Sequence, residues 1–196
     1  MKKFISADII SVGTEILMGQ IVNTNAAYLA GQLASLGIPS YRQSVVGDNP
    51  KRIKDLLAEA DNRSDLIIVT GGLGATQDDI TQRVVADFLG LKLVSDPLRE
   101  DKIRKYFENT GRVMPLSNLK QALLPETGIE IPNRKGTAPG CILEYSGKND
   151  RNKAIVILPG PPFEMKPMFE ETVLPYLSGR NSIMIYSEYV RIFGIS

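Results

Sequence analysis

Three glycines and two aspartates lie close together in the segment TGGLGATQDDIT, and their chemistry defines the first candidate site. Gly71, Gly72 and Gly74 permit positive φ angles and leave backbone N–H groups uncovered, which favours binding of an anion such as phosphate. Asp78 and Asp79 follow, and they would repel the same anion. A divalent cation between the two groups would satisfy the carboxylates and bridge to phosphate oxygens. The segment therefore predicts a metal-bridged phosphate site.

Thr76 and Thr81 belong to the same segment, and we count both among its ligand contacts. The simpler alternative is that the glycines form a tight turn and one aspartate caps the following helix, where a carboxylate is favoured. That alternative accounts for one aspartate and two glycines, whereas the segment contains three glycines and two aspartates in addition to the two threonines. The glycine spacing matches neither the common dinucleotide-binding pattern nor the Walker pattern with its lysine, so neither motif applies.

Further charged residues follow other predicted strands, where they could share one site. Asp48 and Asp79 are the predicted catalytic acids, and Lys135 is predicted to offset charge that develops on a phosphate. Turn chemistry alone also explains the Gly-Asp-Asn-Pro sequence around Asp48. The predicted metal ligands are Glu15, Asp48, Asp78 and Asp79. Oxygen ligands of this kind predict a divalent ion, which we expect to be magnesium, manganese or cobalt.

Small and polar residues in the strand-end loops complete the predicted ligand contacts. The LPGPPFEM turn is a second amide-rich bend, at which a second phosphate is predicted. Asn23 has the alternative role of capping the next helix, and Glu164 that of a first-turn carboxylate. The predicted contacts outside the first segment are Gly13, Asn23, Asn25, Gly136, Gly140, Gly160 and Pro161.

The composition excludes several classes of chemistry. The 196-residue chain has no histidine and one cysteine, Cys141, so Ser-His-Asp and Cys-His nucleophile systems and His-ligated zinc are absent. A single cysteine also excludes an internal disulfide and favours the cytoplasm. The 23 Lys and Arg nearly balance the 22 Asp and Glu, which favours neither nucleic acid nor a membrane as partner.

Alternating strand and helix patterns supply the scaffold for these residues. Apolar, β-branched runs predict strands at 7–13, 40–47 and 66–70, and an amphipathic helix follows each of them. This alternation implies an α/β protein with a mostly parallel sheet and helices on both faces. Because ligands bind at the carboxyl ends of such strands, the loops after the three strands should form the site.

Residues 95–150 interrupt the alternation and predict a small β-rich excursion beside the main sheet. At the N-terminus, Ser6 and Asp8 break the apolar run, so we predict a strand there rather than a signal peptide. We assign residues 1–175 to one domain. Residues 176–196 contain strand-like runs and are predicted to begin a C-terminal segment that is truncated before further domains.

Six motifs, in order along nearly the whole chain, resemble the N-terminal domain of the CinA (competence/damage-inducible protein) family. They are VGTEILMGQIVNTN, VVGDN, VTGGLGATQDDIT, NLKQALLP, PNRKGTAPG and LPGPPFEMKPM. That domain belongs to the wider molybdopterin-binding superfamily, which includes the MogA and MoaB proteins and the adenylyltransferase domains of molybdenum-cofactor assembly. The resemblance implies a three-layer α/β/α sandwich of the molybdopterin-binding type.

The resemblance also implies roles for particular residues. It matches Asp48 and Asp79 to the important carboxylates of the superfamily's adenylyltransferases, and the three glycines to the glycine loop. Two positions depart from the family pattern. Thr14 stands where an acid is common, which removes support for any role that needs an acid there. Ala75 stands where proline is common, which matters less because alanine can form a similar turn.

Metal-dependent ADP-ribose pyrophosphatase activity is implied by the same resemblance, so the primary prediction is a hydrolase. Its substrate would be nucleotide-like, namely ADP-ribose or a similar nucleoside diphosphate sugar, cleaved to AMP and a sugar phosphate by a metal-activated water. Two alternatives stay open: a molybdopterin-binding or adenylyltransferase domain, and a non-catalytic regulatory module. The family further implies a C-terminal nicotinamide mononucleotide deamidase domain in the full-length chain, and we expect a cytoplasmic homo-oligomer.

Overall fold

A computed structural model describes residues 3–147, 151–181 and 185 of the chain. Its strands are β1 (Ala7–Val12), β2 (Ser40–Val46), β3 (Leu66–Thr70), β4 (Leu93–Ser95), β5 (Leu123–Pro125), β6 (Ile129–Ile131), β7 (Gly140–Ser146) and β8 (Asn152–Leu158). Its α-helices are α1 (Thr14–Leu17), α2 (Thr24–Ser35), α3 (Pro50–Arg63), α4 (Thr81–Leu89), α5 (Pro97–Asn109), α6 (Pro162–Met168) and α7 (Leu174–Ser178). A 3-10 helix, Leu116–Ala122, precedes β5, and a π-helical turn, Phe169–Val173, joins α6 to α7.

The main sheet has six strands in the order β2-β1-β3-β8-β7-β6. Strand β1 pairs in parallel with β2 and β3, and β3 pairs in parallel with β8. Strand β7 runs antiparallel to both of its neighbours, β8 and β6. The sequence-based prediction of an α/β fold with a mostly parallel sheet is therefore confirmed.

Two apolar layers cover the faces of this sheet, and neighbouring residues of β1 show how they are divided. Ile9 packs into the cluster that contains Leu29 and Leu33 of α2. Ile10 packs into the other cluster, which contains Ile53 of α3. Because successive side chains of a strand point to opposite faces, a sheet covered on both sides requires apolar residues at neighbouring positions, as at Ile9 and Ile10.

Asparagine–proline and aspartate–proline pairs set the starts of α3 and α5. Asn49 caps α3 by accepting a hydrogen bond from the Arg52 backbone N–H at 3.0 Å. Asp96 caps α5 in the same way, through the Leu98 backbone N–H at 2.9 Å. The proline that follows each cap suits the first helical position, where an N–H has no partner within the helix.

The predicted β-rich excursion is present, but it is smaller than the interrupted region suggests. Strands β4 and β5 form a separate two-stranded antiparallel sheet. Strands β6 and β7 instead extend the main sheet, because Ile131 of β6 is buried in the same core cluster as α2. The irregular region therefore contributes to both sheets.

Helix α7 continues to Ser178, so the predicted domain boundary at residue 175 falls within this helix. The strand-like runs predicted for 182–196 lie outside the described residues, apart from residue 185. Within the residues that are described, no helix is both long enough and apolar enough to span a membrane.

Candidate functional site

A cleft of about 620 Å³ opens at the carboxyl ends of β1, β3 and β8. The residues at or just after these three ends, Val12, Thr70 and Pro159, line it. The loops after β3 and β8 lie close together, since a Cβ added to Gly160 would come within 3.5 Å of the Cα of Gly71. This is the sheet edge at which the parallel topology places ligands.

Gly71 and Gly72 are required by the backbone path of the loop after β3. Their φ angles are 103° and 66°, in a region that residues with a Cβ rarely adopt. A Cβ on Gly71 would overlap the carbonyl oxygen of Val12, and one on Gly72 would overlap the hydroxyl of Thr81. The two glycines therefore allow β1, the loop and α4 to approach more closely than other residues would permit.

Four successive residues of this loop, Gly72, Leu73, Gly74 and Ala75, line the cleft. Within the described part of the chain their backbone N–H groups donate to no protein acceptor, whereas the Gly71 N–H is bonded to the Leu158 carbonyl at 3.0 Å. We call these four N–H groups the amide cradle. Such a run of unused donors at a strand end is suited to bind an anion.

Asp79 forms a turn with Thr76 rather than capping a helix. Its Oδ2 accepts hydrogen bonds from the Thr76 backbone N–H at 2.9 Å and from Thr76 Oγ1 at 2.7 Å. Helix α4 begins only at Thr81, and no side chain caps it. Gly74 makes room for this turn, because a Cβ there would overlap the Asp79 carboxylate. Asp79 nevertheless lines the cleft.

Asp48 is held in a similar way by a threonine, but it is not part of the cleft lining. Its Oδ2 accepts from Thr14 Oγ1 at 2.8 Å and from the Thr14 backbone N–H at 3.2 Å. Of the acids predicted near the first two strands, Glu15 lines the cleft and Asp48 does not. The structure therefore does not place the two predicted catalytic acids, Asp48 and Asp79, in one cleft.

The four predicted metal ligands do not come together. Glu15 and Asp79 line the cleft, whereas Asp48 and the exposed Asp78 do not. Among the described residues, no three His, Cys, Asp or Glu side chains gather into a group that could hold an ion. The acids as arranged here do not fit a preformed metal centre, and metal binding stays a prediction.

Asn25 lies at the floor of the cleft, at the start of α2, and is only 7% exposed. Its Nδ2 donates to the Gly160 carbonyl at 2.7 Å and to Thr70 Oγ1 at 3.1 Å, so it joins α2 to the loops after β3 and β8. Its Oδ1 is buried and has no hydrogen-bond partner in the described chain. A buried acceptor without a partner is costly, which marks this atom as a position for a ligand donor.

Asn23 lines the cleft and also has the structural role that the sequence suggested as an alternative. Its Oδ1 accepts from the Ala26 backbone N–H at 3.1 Å and caps α2. Its Nδ2 donates to Ser11 Oγ at 3.0 Å. Because both ends of the amide are bonded within the protein, Asn23 is less available to a ligand than Asn25.

The far wall of the cleft is a polar network that the sequence reading missed. Gln121 Oε1 accepts from Asn118 Nδ2 at 2.9 Å and from Thr137 Oγ1 at 2.8 Å. Gln121 Nε2 donates to the Leu73 carbonyl at 3.0 Å, which ties this wall to the glycine loop. Lys120 Nζ supports the same loop by donating to the backbone carbonyls of Thr76 and Asp79. Asn118, Lys120 and Gln121 come from the NLKQ segment, and Thr137 comes from NRKGTAPG, whose predicted site residues are Lys135, Gly136 and Gly140 instead.

Glu164 also lines the cleft and was not among the predicted contacts. Its Oε2 accepts from Asn133 Nδ2 at 2.6 Å, and it stands beside Gly136, where a Cβ would overlap the carboxylate. Burial raises the pKa of Glu164 above its ordinary value of 4.5, and the hydrogen bond from Asn133 opposes this shift. The carboxyl group is therefore easier to protonate in the folded protein than in the unfolded chain.

Glu164→Gln is expected to make the protein more stable than the wild type near neutral pH. A raised folded-state pKa contributes stability at low pH that is lost as pH rises through that pKa. Glutamine keeps the acceptor for Asn133 but carries no charge, so it avoids this loss. Urea unfolding from about pH 4 to about pH 7 should show a difference between variant and wild type that grows with pH. A constant difference, or one equal to that of the exposed Glu108→Gln control, would contradict the assignment.

Several predicted contacts lie away from the cleft surface. Thr81 is fully buried, and its hydroxyl donates a hydrogen bond to the Gly71 carbonyl at 2.8 Å. Thr81 therefore supports the glycine loop from the side away from the cleft. Gly140 lies in β7 against the Ile157 carbonyl, where a Cβ would not fit. Lys135 is exposed and, like these two, is absent from the cleft lining. The predicted residues that the lining also omits are Gly13, Asp48, Thr76 and Asp78.

The remaining predicted contacts do line the cleft. Gly136 donates its backbone N–H to Asn133 Oδ1 at 2.8 Å, which shapes the turn beside Glu164. The predicted contacts found in the lining are Glu15, Asn23, Asn25, Gly71, Gly72, Gly74, Asp79, Gly136, Gly160 and Pro161. The structure thus gathers residues from four separate motifs around one cavity.

The mostly parallel α/β sheet, the glycine loop and the cleft at this edge of the sheet define a class of protein. Comparison with known proteins identifies this class. A family model described as "Probable molybdopterin binding domain" matches residues 8–179, and the chain belongs to this family. A solved structure titled as the protein CinA with unknown function, from Thermoplasma acidophilum, is 35% identical. It covers 86% of this chain and 96% of its own, with a TM-score of 0.74. The chain is a CinA-like domain of this family.

Curated relatives are considerably longer than this chain. A relative from Thermoanaerobacter pseudethanolicus, whose name refers to competence-damage inducibility, is 53% identical over 188 residues, covering 96% of this chain and 44% of the relative. A CinA-like protein from Kosmotoga olearia is 51% identical over 189 residues, which are 45% of its length. The chain therefore spans less than half the length of these relatives.

The MoaB protein of Pyrococcus furiosus, described as synthesizing the tungsten cofactor, shares the fold. Its structure is 20% identical, covers 92% of this chain and 99% of its own, and has a TM-score of 0.58. At this level of identity the likeness concerns the fold alone.

The primary sequence-based prediction, a metal-dependent ADP-ribose pyrophosphohydrolase, is wrong. The family that matches residues 8–179 is described by molybdopterin binding, which agrees with the first alternative. The density of glycines and acids indicates an anion site but does not distinguish the two functions. The sequence suggested that Asp48 and Asp79 converge on one metal ion. In the structure each of these carboxylates instead accepts a hydrogen bond from a threonine, Thr14 for Asp48 and Thr76 for Asp79.

Proposed function

We propose that the cleft binds molybdopterin or a closely related phosphorylated pterin. The description of the matched family supports this ligand class. The proposal concerns binding by this domain, because the relatives contain more chain than is present here. Chemical change of the bound ligand, and with it an enzyme class, stays a prediction.

The observation that carries the proposal is the pairing of an unused acceptor with unused donors in one cavity. Asn25 Oδ1 is a buried acceptor without a partner among the described residues. The amide cradle offers donors from the glycine loop of the same cleft. A pterin carries amino and ring N–H donors at one edge and, in its phosphorylated forms, a phosphate on its side chain. Its two ends therefore complement the two kinds of unused group.

The size and walls of the cleft fit the same ligand. Its volume of about 620 Å³ lies within the range of about 300–1,000 Å³ that small-molecule sites occupy. Ile21, Val22 and Tyr106 line it alongside the polar groups and provide apolar surface for a flat ring. A ring held by apolar walls and oriented by a few polar atoms is the usual design of such sites.

The charges of the lining favour a ring with N–H donors over a polyphosphate. Glu15, Asp79 and Glu164 are the charged residues of the lining in the described part of the chain. A chain of phosphates would meet these carboxylates, whereas pterin N–H groups would donate to them. One phosphate can still bind, because backbone amides bind it without a lysine or arginine.

The cytoplasm is the compartment that we propose for this domain. Cys141 is a free, buried thiol, which suits a reducing compartment. Burial raises its pKa to about 12, with a smaller opposing effect from Arg99, so the reactive thiolate is scarce. A homo-oligomer and a C-terminal deamidase domain in the full-length chain stay predictions.

Anaerobic fluorescence titration with molybdopterin tests the proposed function. The chain has no tryptophan, so pterin fluorescence can be followed without interference from protein indole. We expect saturable binding of molybdopterin and of neopterin 3′-monophosphate, and weaker binding of neopterin, which lacks the phosphate. Equal binding of ATP and the pterins, or no pterin binding, would contradict the proposal.

A further inference from the structure

A small side pocket of about 150 Å³ adjoins the cleft and has a different charge. Tyr106, Gly136 and Thr137 line both cavities, so the two share a wall. Beyond that wall the side pocket is lined by Arg99 and Lys102 of α5, together with other residues of the β6 edge. Cationic side chains thus stand next to a cleft whose own charged lining residues are acids.

Arg99 is the unusual residue of this pocket. Its side chain is 11% exposed, and its Nε is buried without a hydrogen-bond partner in the described chain. The carboxylate recorded beside it is that of Asp96, whose Oδ2 lies 3.8 Å from the Arg99 Nε, too far for a hydrogen bond. Asp96 is also engaged at its other oxygen, Oδ1, which caps α5 through the Leu98 backbone N–H.

The other charges of the side pocket form a pair of their own. Lys102 Nζ lies 3.1 Å from Glu130 Oε1, so this lysine and this carboxylate compensate each other. Glu130 stands opposite Cys141 in the pairing of β6 with β7. Arg99 is therefore left as a mostly buried cation whose nearest carboxylate is not in hydrogen-bonding contact.

We propose that the side pocket is an anion subsite in which Arg99 binds a phosphoryl group, separate from any anion at the amide cradle. An enclosed guanidinium N–H without an acceptor is costly, and an oxyanion supplies the missing acceptor. The planar guanidinium matches two phosphate oxygens at once, which favours phosphate among simple anions. The pocket volume is sufficient for one such group.

The consequence for the cleft is that two anionic groups can be bound at its two ends. One lies at the glycine loop, and the other lies past Tyr106 and Thr137 at Arg99. The identity of the organic part rests on the proposed function, but anion binding by Arg99 does not. A test with inorganic phosphate therefore separates the two proposals.

Nuclear magnetic resonance of the Arg99 Nε–Hε group provides a local readout. The resonance is assigned as the one lost in Arg99→Gln, and inorganic phosphate is then titrated against a matching series of sodium chloride. We expect a saturable shift with phosphate that chloride does not reproduce. No shift, or the same shift with chloride, would show that Arg99 only forms an ion pair within its helix and would overturn the proposal.

Variants of the same helix complete the experiment. Arg104 is an exposed arginine of α5 that lines neither cavity, so Arg104→Gln removes the same charge without touching the pocket. We expect the Arg99→Gln protein to lose about tenfold in the affinity of phosphate for this subsite, measured by phosphate-dependent thermal stabilisation, and Arg104→Gln to lose nothing. Circular dichroism establishes that both variants fold. Equal stabilisation by phosphate in all three proteins would overturn the proposal, whereas absent pterin binding with an intact Arg99 shift would overturn only the proposed function.

Discussion

Gly71→Ala is expected to lower the free energy of unfolding by roughly 3 kcal/mol or more. The φ angle of 103° at this position costs about 1–3 kcal/mol for a residue with a Cβ. The added Cβ would also overlap the Val12 carbonyl oxygen, which is backbone and cannot rotate away. Urea denaturation followed by circular dichroism measures the change.

The control for this prediction is Gly90→Ala at the end of α4. Gly90 has a φ of 69°, but a Cβ there would meet nothing within 4 Å. Its substitution should therefore cost only the conformational term, about 1 kcal/mol. If Gly71→Ala were no more destabilising than Gly90→Ala, the close approach of β1 and the glycine loop would be incorrect.

Asn25→Ala is expected to weaken molybdopterin binding roughly thirtyfold, which corresponds to about 2 kcal/mol. The substitution removes the unpartnered Oδ1 that we assign to a ligand donor. It also removes the hydrogen bond from Nδ2 to the Gly160 carbonyl, which holds the loop after β8 in place. Fluorescence titration under anaerobic conditions measures the affinity.

Asn49→Ala is the matched control because it also removes a partly structural asparagine at a helix start. Asn49 caps α3 and does not line the cleft, so its loss should cost about 1 kcal/mol of stability without changing affinity. The comparison separates general destabilisation from loss of a ligand contact. Wild-type affinity in Asn25→Ala would remove the main support for the proposed ligand orientation.

The fold could be predicted largely from local pattern. Strands β1 and β3 are mostly apolar and β-branched, with apolar residues at neighbouring positions, which indicates a sheet covered on both faces. The placement of β6 in the main sheet could not be predicted, because its pairing with β7 across a loop of eight residues, 132–139, depends on burial of Ile131. A strand of three residues carries too little periodicity to indicate its partner.

The site could be predicted in part, because several residues of the strand-end loops, among them Asn25 and Asp79, do line the cleft. Gly71 and Gly72 were recognisable because a glycine pair after a strand is suited to positive φ, and both residues adopt it. The hydrogen bonds that Asp79 accepts from Thr76 could not be predicted from the sequence. An aspartate at that position is equally suited to capping α4. Asn118 and Gln121 were missed because the direction in which a 3-10 helix presents them depends on tertiary packing.

The start of α4 has a consequence for how the amide cradle selects its ligand. The Thr81 N–H at that helix end donates to the Gly72 carbonyl at 3.1 Å, so this donor is satisfied by the protein's own loop. Attraction at the cradle then depends on the directions of individual peptide dipoles and not on a formal positive charge. Screening by dissolved ions weakens charge–charge attraction most strongly. Affinity at the cradle should accordingly change less with ionic strength than affinity at a guanidinium.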